Sequence, residues 1–167
     1  MKEMIVNPVK HHPSLREVLA SYTFPNEEMP IKGGWGYFKE DAIIIDKNDP
    51  MVPKGSPFDG VGLEYILVEK RNVLEFDYLQ DEKNTYRSIH WKTIHQELVQ
   101  DEDRFFDKLT VEITALFFEA WKSRRKEWKE NGHMPDFDKE RFMARNVELS
   151  QYCIREFWFD ISSFFGQ

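Results

Sequence analysis

The spacing of apolar residues predicts a short helix near the start of the chain, because apolar side chains recur there every three or four positions. Ser14 is suited to cap this helix, and Glu17, three residues later, completes the sequence of a capping box. Pro25 and Pro30 are predicted to end the helix and to mark a loop, and a short edge strand is predicted at Met4–Val6. The apolar face of the helix is formed by Leu15, Val18, Leu19 and Tyr22.

A run of β-branched residues then predicts the central strand of the fold. Ala42–Ile45 is apolar throughout and is followed by turn-forming residues, which is typical of a strand that is buried on both faces. We expect two strands here, one within Ile31–Phe38 and one within Asp41–Lys47. The segment Asn48–Gly60 is rich in proline and glycine and is predicted to be a surface loop.

Residues 61–79 carry signals for both kinds of regular structure. Apolar spacing favours a helix over Gly60–Arg71 with Asp59 as its cap, whereas alternating apolar and acidic residues favour a strand over Val73–Leu79. A hairpin is then predicted to lead into a strand at Thr85–Trp91. The alternative is that the whole of 61–79 forms a hairpin of two strands.

The pattern changes twice more before the chain reaches its longest predicted helix. Lys92–Gln100 is predicted to be helical, and Leu109–Ile113 alternates apolar and polar residues as a half-buried strand does. A helical stripe then runs from Leu116 to Trp128, and Asn131 with Gly132 is predicted to end that helix.

The last part of the chain predicts one more helix and a strand. Asp138 is expected to cap the helix, with Phe142, Leu149 and Cys153 on one face. Alternation over Phe157–Ile161 favours a final strand, so the state of 150–162 is left open between helix and strand. Helices mixed with antiparallel strands predict an α+β fold, with helices packed on a mostly antiparallel sheet and one domain over residues 1–167.

Composition and charge narrow the classes of function. The 30 acidic and 23 basic side chains give a net charge of −7, which disfavours nucleic-acid binding because that binding relies on lysine and arginine. Cys153 is the only cysteine, which fits a reducing compartment. The N-terminal residues lack the apolar region of a secretion signal, and no stretch is apolar enough for a membrane span, so a cytoplasmic protein without membrane association is expected.

The motifs of common catalytic and metal sites are missing from the sequence. The five histidines do not have the spacing of a zinc helix, and Asp46–Pro50 lacks the glycine and glutamate of a calcium loop. The glycines around Trp35 do not form a phosphate-binding motif, and no serine lies in a nucleophile elbow. We therefore expect no metal and no cofactor, and the presence of catalysis is left open.

Two functions follow as hypotheses. The first is a non-catalytic interaction module that binds another protein through an acidic surface bearing aromatic side chains, near Trp35, Tyr37 and the Asn48–Gly60 loop. The second is a small hydrolase or ligand-binding enzyme with carboxylates and an arginine in a cleft. It requires a pocket with strongly shifted pKa values, and Glu64 with Glu69 is one of several carboxylate pairs in the sequence. The candidate site residues are Trp35, Tyr37, Asp41, Asp46 and Arg71.

Overall fold

A computed structural model of the protein describes residues 2–4, 13–22 and 28–166. This part of the chain contains four α-helices and six strands. The helices are α1 (Leu15–Tyr22), α2 (Gly60–Val73), α3 (Phe118–Asn131) and α4 (Lys139–Leu149). The strands are β1 (Lys2–Glu3), β2 (Ile31–Gly33), β3 (Ile43–Ile45), β4 (Tyr86–Asp101), β5 (Arg104–Phe117) and β6 (Gln151–Asp160).

The six strands form one mostly antiparallel sheet, which confirms the predicted α+β class. The strand order is β2–β3–β6–β5–β4, and β1 also pairs with β6. In the antiparallel β2–β3 pair, Ile31 lies opposite Ile45. β3 is parallel to β6, with Ile43 opposite Phe159.

The described residues fall into two compact units. The first consists of residues within 1–8 together with Asn72–Lys92 and Glu112–Ile154, and the second contains the rest of the chain. The long strands β4, β5 and β6 each contribute residues to both units. The prediction of one domain over residues 1–167 stays a prediction.

Each unit has its own buried apolar residues. In the second unit they come from α1, the β2–β3 pair, α2 and the adjoining parts of β5 and β6: Leu15, Val18, Leu19, Ile31, Ile43, Ile45, Leu67, Val68, Phe106, Leu109, Val111, Phe157, Phe159 and Ile161. In the first unit they include Met4, Leu74, Phe76, Tyr86, Ile113, Ala115, Leu116, Phe142 and Cys153.

The capping box of α1 forms as predicted. The Ser14 amide donates to Glu17 Oε2 at 2.9 Å, and the Glu17 amide donates back to Ser14 Oγ at 3.3 Å. Pro25 lies outside the described residues. The first strand is β1 rather than Met4–Val6; Met4 follows it and its amide donates to Tyr152 O at 2.8 Å, while residues 5 and 6 lie outside the described part.

The two central strands are present but shorter than predicted. β2 and β3 contain three residues each, and residues 34–42 between them include a 3₁₀ turn at Lys39–Asp41. Ile43 and Ile45 are completely buried and Ile44 is half-buried, so this strand is covered on both faces. The segment 48–59 contains no helix or strand, as predicted.

The strand predicted at Val73–Leu79 is wrong. α2 extends to Val73 and continues directly as a π-helix over Leu74–Tyr78. The apolar and acidic residues alternate here, but Leu74, Glu75 and Phe76 are all buried, so the alternation does not separate a buried face from an exposed one. Asp59 does cap α2, since its Oδ1 accepts from the Gly62 amide at 2.8 Å.

The helix predicted at Lys92–Gln100 is also wrong, because these residues continue β4. The predicted strand at Thr85–Trp91 is the first half of the same 16-residue strand. β4 lies at the end of the strand order, and most of its second half is exposed on both faces. An edge strand without a buried face has no period-2 apolar pattern, which explains the wrong prediction.

The two later helices match their predicted signals. α3 ends at Asn131, and the Gly132 amide donates to Trp128 O at 2.8 Å. Asp138 caps α4 by accepting from the Arg141 amide at 2.9 Å. Cys153 belongs to β6 and not to this helix, and β6 is the predicted final strand. Across the described residues, every helix is too short or too polar to cross a lipid bilayer.

Candidate functional site

The aromatic pair that the sequence singled out is mostly packed inside the second unit. Trp35 is only 7% exposed, and its indole Nε1 donates to Pro13 O at 3.2 Å. Tyr37 is 36% exposed and its ring is parallel to that of Trp35, with centroids 6.4 Å apart. Trp35 therefore does not present an exposed face on which a ligand could stack.

Arg71 is completely buried, and it contacts main-chain oxygens and aromatic rings. Its Nη1 donates to two main-chain oxygens, Trp35 O at 2.9 Å and Gly36 O at 3.2 Å. The guanidinium carbon lies 4.3 Å from the centroid of the Tyr37 ring and 4.0 Å from that of Phe157, a cation–π arrangement on both sides. These contacts hold the loop between β2 and β3 against α2 and β6.

The two aspartates of the predicted site have separate roles. Asp41 Oδ2 accepts from the Trp35 amide at 3.1 Å and from the Tyr37 amide at 3.2 Å, so it shapes the same loop. Asp46 follows β3 and pairs with Lys32 at 2.7 Å. That hydrogen bond, together with one from the Asn48 amide, lowers the pKa of Asp46. Four of the five predicted residues thus form one structural cluster: Trp35, Tyr37, Asp41 and Arg71. Asp46 is not part of it and pairs with Lys32.

A different part of the second unit forms a groove of about 570 Å³. Helix α2, strands β4 and β5 and the segment after β6 all contribute to it. Its walls are mostly apolar, and the polar side chains belong to three residues. The lining residues are Val61, Glu64, Gln96, Leu98, Asp107, Ile161, Phe164, Phe165 and Gly166.

Two buried carboxyl groups face each other in this groove. Glu64 on α2 is 1% exposed, and neither of its carboxyl oxygens has a hydrogen bond of good geometry among the described residues. Asp107 on β5 is 7% exposed; its Oδ2 accepts from Gln96 Nε2 at 2.5 Å, while its Oδ1 has no such partner there. The two carboxyl groups are close enough for their charges to interact.

Burial and like charge determine the protonation of this pair. Burial, reinforced by the charge of Asp107, raises the pKa of Glu64 from 4.5 to about 9. Glu64 is therefore protonated at neutral pH. A protonated carboxyl group beside a second carboxylate can give or accept a proton, which is the arrangement that acid–base sites use.

Close packing at the start of α2 fixes the position of Phe164, which forms part of the groove wall. A Cβ atom on Gly60 would lie 2.4 Å from the Phe164 ring, so only glycine allows this ring to pack there. Phe58 contacts the same ring edge-on, with centroids 5.5 Å apart. On the other side, the Phe165 ring stacks on Phe105 with centroids 4.5 Å apart.

Two serines anchor the segment that carries these phenylalanines. Ser163 Oγ donates to Ile45 O at 2.8 Å and accepts from the Lys47 amide at 3.0 Å. Ser162 Oγ accepts from the Phe105 amide at 2.9 Å. The segment after β6 is therefore held to β3 and β5, and it forms a fixed wall of the groove.

A second groove, of about 420 Å³, lies in the first unit between residues of α3 and α4. Its buried cation, Arg124, is already bonded. It donates to Asn146 Oδ1 at 2.7 Å and to Phe142 O at 2.8 Å, and it forms an ion pair with Glu127. Because these bonds satisfy Arg124, this groove lacks the unpartnered buried groups of the Glu64–Asp107 groove.

Within the described residues, no three histidine, cysteine, aspartate or glutamate side chains are grouped so that they could hold a metal ion. His11 and His12 lie outside this part of the chain. The Asp46–Pro50 segment forms a turn in which the Asn48 amide donates to Asp46 Oδ1 at 2.9 Å. Asp49, the other aspartate of this segment, is buried and pairs with Arg16 at 2.8 Å.

No protein-family model, curated protein or solved structure matches this chain.

The sequence analysis missed Asp107 and assigned Glu64 no special role, although the pattern contained a signal for both. Asp107 continues the buried alternation of Leu109 and Val111 along β5. Glu64 precedes the buried residues Leu67 and Val68 of α2 by three and four positions. An acidic residue at a position that the apolar pattern assigns to the interior is the feature that identifies this pair.

Proposed function

We propose that this protein binds a small ligand in the groove between α2, β4 and β5, with the apolar part of the ligand against the phenylalanines and its polar end at Glu64 and Asp107. The observation that carries this proposal is the unpartnered, buried carboxyl pair at the base of an apolar groove. A volume of about 570 Å³ lies in the range of small-molecule sites.

The cost of burying these groups supports a functional role. A buried polar group without a hydrogen bond costs on the order of 1–3 kcal/mol, and a buried charge costs more unless it is paired. Elsewhere in the same unit, the buried carboxylate Asp160 is bonded to Arg104 Nη2 at 2.7 Å, and Asp49 is bonded to Arg16. By contrast, both Glu64 oxygens and Asp107 Oδ1 lack a hydrogen-bond partner among the described residues, so a ligand that supplies donors is the natural partner.

The same pair provides the groups that an acid–base reaction needs. Glu64 is protonated at neutral pH and can donate its proton to a bound group, and Asp107 lies beside it. If the protein is an enzyme, we therefore propose Glu64 and Asp107 as its two acid–base carboxyl groups. Arg71 is not among the lining residues, so an arginine has no part in it.

A fragment screen by NMR tests the proposal. Ring-containing fragments should shift the signals of Phe164 and Phe165. Leu98 and Ile94 are both exposed on β4, but only Leu98 lines the groove. We expect Leu98→Trp to fill the groove and abolish these shifts, while Ile94→Trp leaves them unchanged. If no fragment binds, or if both variants weaken binding equally, the proposed function is wrong.

Protein binding is a second candidate function, supported by a different surface. Phe38 is 55% exposed beside the half-exposed Tyr37, so the loop between β2 and β3 presents aromatic area to solvent. We propose this loop, without Trp35, as the surface for a protein partner. A pull-down that captures the same partner with the wild type and with Phe38→Ser would contradict this proposal.

A further inference from the structure

The chemistry of the groove also indicates which class of ligand it selects; this inference rests on the proposed function. The described lining residues include two carboxyl groups and one amide, and they include no lysine, arginine or histidine. An anionic ligand would meet like charge at Glu64 and Asp107 without a compensating cation. Anions are therefore disfavoured.

The aromatic wall favours a positively charged group. The electron-rich faces of aromatic rings attract cations, and such contacts become stronger when water is excluded. Phe164 and Phe165 provide two rings in this groove, and the carboxyl pair provides the opposite charge. Carboxylate together with aromatic rings is the combination that recognises ammonium groups.

A bare metal ion fits the same groups poorly. Calcium takes six to eight oxygen ligands and zinc takes four ligands, typically nitrogen or sulfur. The polar lining consists of Glu64, Asp107 and Gln96, and the Gln96 amide nitrogen is directed at Asp107. The remaining lining is apolar, which suits an organic ligand and not a hydrated ion.

We propose that the ligand is an organic cation, an ammonium group on an apolar body, held between the Glu64 and Asp107 carboxyl groups. The ammonium group supplies the hydrogen-bond donors that the unpartnered carboxyl oxygens lack. The apolar body contacts Phe164, Phe165 and Leu98.

Proton release is a measurable consequence of this arrangement. Asp107 is the only other charged group among the described lining residues; β4 contributes neutral Gln96 there, and the segment after β6 contributes apolar side chains and Gly166. A cation placed beside Glu64 favours the ionised form of this group, so the proton of Glu64 leaves when the ammonium group binds. At pH 7 we expect close to one proton released for each ligand bound.

Three probes of one shape test the selection of charge: benzylamine, benzyl alcohol and benzoate. For ligands of this size a Kd on the order of 1 mM is expected, so binding is followed by NMR titration of the Phe164 and Phe165 signals. Benzylamine should bind about tenfold more tightly than benzyl alcohol, since hydrogen bonds between charged groups are the stronger ones. Benzoate should bind more weakly than either.

The variant Glu64→Gln/Asp107→Asn keeps the shape of the groove and removes its carboxyl groups. We expect it to bind benzylamine and benzyl alcohol equally, because the charge that distinguishes the two probes is gone. If the wild type binds the alcohol as tightly as the amine, the inference is wrong although the proposed function stands. If none of the three probes binds, the proposed function itself fails.

Calorimetry in two buffers with different ionisation enthalpies measures the released proton directly. The wild type should release a proton with benzylamine and none with benzyl alcohol, and the double variant should release none with either. If benzylamine is preferred but no proton is released, Asp107 alone holds the ammonium group, and the placement between both carboxyl groups is wrong.

Discussion

Replacing Glu64 by glutamine should change how stability depends on pH. The pKa of Glu64 is raised from 4.5 to about 9 in the folded protein, whereas an unfolded chain would ionise this group near its ordinary value. Between these two values the folded protein holds a proton that unfolding releases. The contribution of Glu64 is therefore fully favourable below pH 4.5 and is lost as the pH rises towards 9.

The size of the effect follows from the pH interval. Each pH unit in that window lowers the free energy of unfolding by about 1.4 kcal/mol, so the loss between pH 4.5 and pH 7 is about 3 kcal/mol. Glutamine cannot ionise and has nearly the same shape as protonated glutamate. Relative to the wild type, Glu64→Gln should gain about 3 kcal/mol over the same interval.

Urea unfolding at a series of pH values measures this difference. The comparison uses the slope of the difference against pH, because the absolute offset also contains the altered hydrogen bonding of the amide. Glu69→Gln is the matched control, since Glu69 is exposed on the same helix and undergoes the same change of side chain. A difference between Glu64→Gln and the wild type that does not vary with pH would refute the reasoning.

Three other substitutions test the structural assignments. Arg71→Met removes a buried cation that holds main-chain oxygens, and should lower the free energy of unfolding by about 3 kcal/mol in urea titrations. Gly36→Ala should lower Tm more than Gly55→Ala does. Both glycines have positive φ, but only a Cβ at residue 36 would meet a main-chain oxygen, at 2.9 Å. The two variants should differ in free energy of unfolding by about 1–3 kcal/mol. Arg124→Met should cost about 2 kcal/mol and should speed hydrogen exchange in α4, because Arg124 bonds α3 to that helix.

Each of these three predictions can be contradicted by a specific result. For Arg71→Met, a loss below about 1 kcal/mol would mean that its bonds to the loop are weak. Equal Tm values for the two glycine variants would show that residue 36 has room for a methyl group. For Arg124, exposed Arg141 on α4 is the control position, and equal hydrogen exchange in Arg124→Met and Arg141→Met would contradict the assigned role.

Local signals in the sequence correctly predicted the ends of three helices. The capping box at Ser14 and Glu17, the cap at Asp138 and the end of α3 at Asn131 each depend on residues close together in the chain. Such signals do not need the rest of the fold. The α+β class followed because these helices are separated by segments with a strand pattern.

The errors arose where distant residues decide the structure. Lys92–Gln100 is a strand because β5 pairs with it, and Lys92 bonds to Glu112 of that strand at 2.7 Å. The π-helix at Leu74–Tyr78 buries consecutive side chains, which no simple period describes. Both cases depend on tertiary partners that overrule the local pattern.

The candidate site could be predicted only in part for the same reason. Glu64 and Asp107 are 43 residues apart in the numbering, and nothing in the local sequence shows that α2 and β5 bring them together. Trp35, Tyr37 and Arg71 were recognised as unusual, and they do form a cluster. Their hydrogen bonds and ring contacts show that the cluster supports the loop of the second unit.

The Arg71 guanidinium, which lies between the Tyr37 and Phe157 rings, couples three segments of the second unit during unfolding. Arg71 on α2 joins the loop after β2 and the strand β6, which are far apart along the chain. Moving the loop away would remove two main-chain acceptors of this buried guanidinium ion, and moving β6 away would remove the Phe157 ring that stacks on it. The three segments are therefore expected to unfold as a single cooperative step, without partial fraying of the loop alone.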